Sequence, residues 1–198
     1  MSSKVVVPLL LLVLLTIGGA VWARRSVPQN LARNSSPQVI KQAAIIEGYQ
    51  GWTRVNPEPV QMDQRVAALC APAQVVQPFA SNTNPHREKF ITVFVNDVGR
   101  HAMTEEINPR FPVGTVIVKE KLPNRDATAA ELLTVMRKRE RGYDSKNGDW
   151  EYLMLDGPGQ VVQDPGKIES CQSCHFAYRP TDYVTRLYLP SDTRKSLK

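Results

Sequence analysis

The stretch KFITVFVND, residues 89–97, decides the fold. Phe90, Thr92 and Phe94 alternate with Ile91, Val93 and Val95, so β-branched and aromatic side chains fill both faces of an extended chain. A run apolar on both faces and only a few residues long predicts a buried strand. Working outward, GTVIVKEKL (114–122) follows Pro112 and predicts a second strand, and DWEYLML (149–155) a third. Gly157, Pro158 and Gly159 end that third strand, and QVVQ (160–163) then pairs back on it. Between them, 129–141 is ambiguous. Thr128 with Glu131 resembles a helical capping box, whereas Asn147-Gly148 before Trp150 resembles a hairpin turn, and the hairpin is favoured.

Upstream, VIKQAAIIEGYQGW (39–52) spaces Ile40, Ala43 and Ala44 as one face of an amphipathic helix, with Gly48 as its stop. Residues 56–84 carry prolines at 57, 59, 72 and 78 and predict a loop-rich excursion with short extended pieces. The expected fold class is α+β: mainly an antiparallel β-sheet, with an N-terminal helix and short C-terminal helices around the cysteine motif described below. Length supports this. A chain of 198 residues, 42% hydrophobic and 22% charged, supplies the core of one domain, and its composition excludes a disordered, repetitive or multi-span protein.

The first residues, MSSKVVVPLLLLVLLTIGGAVWARR, place Lys4 before an apolar run from Val5 to Ile17 and then small residues. This predicts an export signal over 1–23, with Ala20 or Ala23 as its last residue, and hence a periplasmic protein. The rival is an uncleaved anchor over 5–23, which Arg24 and Arg25 oppose, because basic residues favour the cytoplasmic side. A flexible lead-in over 24–38, rich in Arg, Asn, Ser and Pro, joins this segment to a domain over 39–198. Cleavage removes Lys4 alone and leaves 24 basic against 19 acidic residues, a net +5. The mild excess is compatible with docking an acidic partner or a membrane surface, although the basic residues are scattered. RKRER (137–141) contains Glu140 and is expected to be a solvated face, not a nucleic-acid site.

CQSCH, residues 171–175, supplies the chemistry. Two thiols three residues apart can add to the vinyl groups of a haem, and the adjacent imidazole can then ligate the iron. Zinc would need four ligands, and only Cys70, His86 and His101 remain, none at metal-ligand spacing. A thioredoxin-like dithiol belongs at an early helix start in a βαβ unit, and an idle dithiol would be oxidised after export. Haem c, one per chain and covalent through Cys171 and Cys174 with His175 as axial iron ligand, is the expected cofactor. Cys70 then stands alone, with a buried small hydrophobe as its default role. All five methionines precede His175, so a sixth ligand would have to come from an upstream strand or loop, and none announces itself. A five-coordinate iron with an open face is expected, which points to binding or chemistry of a small ligand more than to electron relay alone.

GYQGWTRV (48–55), FITVFVND (90–97), FPVGTVIVKEKL (111–122), GDWEYLML (148–155) and CQSCHFAYRPTDYV (171–184), in that order, resemble the cytochrome P-460 family, which includes the cytochromes c′-beta. The resemblance spans roughly residues 45 to 188. It implies a mainly antiparallel β fold, usually a homodimer, that holds one haem c and acts in the periplasm. The small-molecule ligand would be hydroxylamine, which is oxidised, or nitric oxide, which is bound, with a redox partner protein taking electrons. It also implies a lysine joined to the haem edge. Lys119 matches best and Lys121 second, although strand logic alone allows Lys119 to be an edge-strand lysine paired to Glu120 or Glu105. The family's distal carboxylate falls at Thr134, which is not acidic, with Glu131 reachable in another register. Phe90, Phe94 and Phe111 are candidates for an aromatic distal cap. Trp52 and Trp150 are expected in the core and Tyr183 near the haem edge, whereas His86 and His101 are expected in surface loops.

Overall fold

A computed structural model describes residues 44–63 and 89–197, which build one seven-stranded sheet, antiparallel throughout. Its strands are β1 (Thr53–Arg54), β2 (Val60–Gln61), β3 (Phe90–Val95), β4 (Val116–Leu122), β5 (Leu132–Lys138), β6 (Trp150–Asp156) and β7 (Val161–Gly166). From β3 to β7 the strands lie side by side in chain order. The outer edge of β3 is shared, with β1 along Phe94–Val95 and β2 along Phe90–Ile91. The three strands expected from β-branched and aromatic runs are all present, and the returning strand after Gly159 is β7. The export signal, the lead-in, Cys70 and His86 lie outside the described residues. No helix among those described is long and apolar enough to cross a membrane.

Each face of the sheet carries its own apolar layer. Ile91, Val93 and Val95 on β3, Ile117 on β4, Met136 on β5 and Tyr152 on β6 belong to one buried cluster. Val116 and Val118, Leu133 and Val135, and Leu153 and Leu155 form the other, under Ile46, Tyr49 and Trp52. This is the period-2 alternation of a pleated sheet buried on both sides.

Residues 129–141 resolve in favour of the hairpin: β5 pairs with β6 along its whole length. The connection is longer than an Asn-Gly turn, because residues 139–149 bow outward before β6 begins. Gly148 closes that loop at φ 69, and a methyl placed on it would meet the Tyr183 ring at 2.4 Å. Gly148→Ala is therefore expected to destabilise the fold by about 1–3 kcal/mol through backbone strain and displacement of Tyr183. Urea unfolding checks this, and an unchanged midpoint would contradict it.

Two expectations about helices need correction. The described part of the first predicted helix forms 3-10 turns at Ala44–Ile46 and Tyr49–Gly51, separated by Gly48 at φ 70; left-handed glycine ends a turn as anticipated, but no α-helix runs through it. An unanticipated helix, α1 (Asp97–Thr104), follows β3. Asn96 caps it, accepting from Gly99 N at 3.2 Å, and also ties it to β4 through Val116 N and Gly114 O. The short C-terminal helices are as expected: α2 (Glu169–His175), a 3-10 segment over Phe176–Thr181, and α3 (Ser191–Ser196).

Candidate functional site

Cys171, Cys174 and His175 occupy α2 at spacings of three and four residues, which places them on one side of the helix. That side closes a cavity of about 280 Å³ against the sheet. The sheet wall follows from register. Val93, Lys119, Thr134 and Ile117, Met136, Tyr152 are two adjacent cross-strand rows on the same face. All six line the cavity, as do Met103 at the end of α1 and Leu187 beyond the motif.

The imidazole is fixed at one end. His175 Nδ1 lies 2.7 Å from the Tyr183 carbonyl oxygen, which can only accept, so Nδ1 carries the proton and Nε2 carries the lone pair. Burial pushes the His175 pKa down to about 4, opposed by the Tyr183 hydrogen bond and reinforced by the positive charge of Lys119. At neutral pH the ring is thus uncharged, the form that ligates a metal. Tyr152 stands beside it, with ring centroids 5.5 Å apart. Its phenol is buried without a hydrogen-bond partner among the described residues, and burial raises its pKa, so it keeps its proton as a donor.

Behind His175 lies a charged support. Asp182 and Tyr183 both have left-handed backbones, φ 54 and 66. The Asp182 carboxylate accepts from Lys138 Nζ at 2.7 and 2.8 Å and from Phe111 N at 2.9 Å, and its carbonyl accepts from Trp150 Nε1 at 2.8 Å. RKRER is therefore solvated only in part: Glu140 and Arg141 are exposed, whereas Lys138 is largely sealed against Asp182, and Arg137 and Arg139 both pair with Glu151.

Lys119 is not an edge lysine, because β4 lies between β3 and β5. Of the two carboxylates suggested for it, Glu120 accepts from Tyr49 Oη at 2.8 Å, and Glu105 pairs with Arg100 and His101. Lys121 is buried at the end of the same strand and does not line the cavity. Thr134 sits directly across from Lys119 in the pairing of β4 with β5, and it is uncharged. Glu131 is paired with Lys89 at 2.6 Å and stays outside. The carboxylate that does line the cavity, among the described residues, is Asp63 beside β2, which the sequence did not single out.

None of the three proposed phenylalanine caps reaches the cavity. Strand parity puts Phe90 and Phe94 on the opposite face, where Phe94 packs edge-on to Tyr49 at 5.5 Å, and Phe111 packs on Trp150 at 5.6 Å. Trp150 is fully buried, Trp52 packs partly buried on the second layer, and Tyr183 supports His175 through its carbonyl. His101 is exposed, though on α1 and not in a loop.

The donor set suits a c-type haem: two half-buried thiols, a neutral imidazole with a free ring nitrogen, and largely apolar walls. Among the described residues no three His, Cys, Asp or Glu side chains converge on one point as a bare metal ion requires. The two thiols and the imidazole line one wall of the cavity from a single helix. No curated protein gives a significant match to the chain. The family model described as cytochrome P460 matches residues 46–186. That span contains β1 to β7, Lys119 and the whole C-x-x-C-H motif, and membership implies a haem cofactor. The chain belongs to the cytochrome P460 family.

Proposed function

We propose that the chain is an exported mono-haem c protein that acts on or binds small nitrogen species, hydroxylamine or nitric oxide. Cys171 and Cys174 would hold one haem by thioether bonds, and His175 Nε2 would ligate its iron. The observation that carries this reading is that these three residues and Lys119, more than fifty positions upstream, line one cavity. Bound there, the haem would supply a redox-active iron able to bind a small ligand.

The chain's own residues do the rest. The Tyr183 carbonyl orients the imidazole and fixes its tautomer. The apolar walls exclude water, which strengthens every polar contact inside. Lys119, on a central strand and lining the same cavity, would be the side chain that cross-links to the haem edge in an oxidising enzyme. Thr134 supports a second reading. With a hydroxyl beside Lys119 where the catalytic members of the family would carry a carboxylate, the remaining lining carboxylate among the described residues is Asp63, and the loss at Thr134 favours capture of nitric oxide or another diatomic without turnover. Residues 1–23 would direct export to the periplasm, either removed or retained as an anchor. A homodimer and a redox partner protein are part of the same proposal, on the resemblance to the family, and electron carriage alone is the third alternative.

The absorption spectrum of the haem-loaded protein, with peptide masses, tests these readings. A five-coordinate high-spin spectrum is expected. Met103 and Met136 also line the cavity, so a six-coordinate low-spin spectrum, abolished by replacing either one, would contradict the open face. In the enzyme reading a peptide containing Lys119 carries haem mass, and Lys119→Met loses that species and shifts the spectrum. In the binding reading both proteins give the same haem peptides, linked through Cys171 and Cys174 alone.

A further inference from the structure

We infer that Asp182, clamped by Lys138, is a positioning residue for His175: it holds the Tyr183 carbonyl on Nδ1 and so sets the tautomer and donor strength of the imidazole. The inference rests on the proposed role of His175 as iron ligand. The hydrogen bond from His175 to Tyr183 O is short, at 2.7 Å, but a carbonyl is only as well placed as the chain that carries it. That chain is held in an unusual way. Asp182 and Tyr183 are consecutive residues with side chains at φ 54 and 66, a conformation that such residues rarely adopt and that persists only where surroundings enforce it.

The enforcing contacts converge on Asp182. Lys138 Nζ reaches both carboxylate oxygens, Phe111 N donates to Oδ2, and Trp150 Nε1 donates to the backbone carbonyl. Lys138 is itself fixed, donating to the Gly148 carbonyl at 2.8 Å and lying over the Trp150 ring. Tyr183 is pinned at its far end, where Oη donates to the Lys146 carbonyl at 2.9 Å. The Lys138–Asp182 pair is nearly sealed from water, with side-chain exposures of 13% and 9%. A buried ion pair is a poor means of gaining stability, since packed apolar residues often do as well, but it specifies geometry strongly. Here the geometry specified is that of a single carbonyl, one residue away, facing the imidazole. A hydrogen bond accepted from Nδ1–H raises the electron-donating power of Nε2 and prevents the ring from rotating about its bonds to the chain.

Asp182→Asn is the direct test, because asparagine keeps the size and tolerates positive φ while removing the charge. In the haem-loaded protein the weakened donor should destabilise the ferric state. The ferrous-to-ferric ratio at a fixed solution potential is expected to rise about tenfold, and the iron–histidine stretching frequency to fall. Lys138→Gln should move both readouts the same way, and it decides the question if Asp182→Asn fails to fold. Leu133→Ala removes core packing on the opposite face and should lower stability without moving either readout. An unchanged ratio and stretch in a folded, loaded variant, or an equal shift in Leu133→Ala, would overturn the inference. The full chain prepared without haem gives an independent readout. Its His175 ring nitrogens should report one tautomer, protonated at Nδ1, and Asp182→Asn should give a mixture; an unmixed tautomer in the variant would overturn the inference. Failure of the parent protein to carry haem would instead remove the ligand reading, while these nitrogen shifts still decide whether Asp182 holds the ring.

Discussion

Replacing Cys171 and Cys174 together by alanine is expected to abolish covalent haem while leaving the sheet folded. Both side chains are half-buried and line the cavity, whereas the two apolar layers are built chiefly from the strands. Losing the thiols therefore costs little packing but removes both thioether attachments. Single variants should each retain haem through one thioether, with an absorption band shifted to longer wavelength because one vinyl group stays conjugated with the macrocycle. His175 would still be available as a ligand in the double variant, so some haem could bind reversibly and be lost in denaturant. Denaturing electrophoresis with haem staining, beside far-ultraviolet circular dichroism, checks both halves of the expectation. A double variant that keeps haem under denaturing conditions would mean attachment elsewhere.

Trp150→Ala should give the largest loss of stability, about 3–5 kcal/mol. The ring is fully buried at the start of β6, packs edge-on to Phe111 at 5.6 Å, and lies beneath the Lys138 ammonium at 5.0 Å. Its indole N–H also satisfies the Asp182 carbonyl, so truncation leaves a cavity and an unpaired acceptor together. The damage should spread to the site, because Asp182 and Tyr183 lose a support. Urea unfolding of the haem-free chain measures the first effect; a loss below about 1 kcal/mol would show that the core closes around the gap.

The strands were legible because Val, Ile, Phe and Tyr recur without interruption between glycine and proline signals. Which face they present was not. In FITVFV both parities are apolar, so Phe90 and Phe94 were as eligible for the cavity as Ile91 and Val93, and only the placement of α2 over one side chooses between them. The pairing of Lys119 with Thr134 likewise depends on register, which no local pattern contains. Helix α1 was overlooked because Gly99 interrupts a short polar stretch, although Asn96 before it was a usable cap signal. RKRER seemed solvated because its counter-ions are remote: Glu151 is 12 residues from Arg139, and Asp182 is 44 from Lys138. Cys171, Cys174 and His175 were legible at once, since adjacent positions on one helix need no tertiary information to act together.

The intact mass of the chain, expressed with a c-type haem attachment system and measured after denaturation and acidic organic extraction, tests the central claim most directly. One haem retained per chain, located by digestion on the peptide containing Cys171 and Cys174, is the predicted result. A chain of apoprotein mass, or haem released by the extraction, would contradict it.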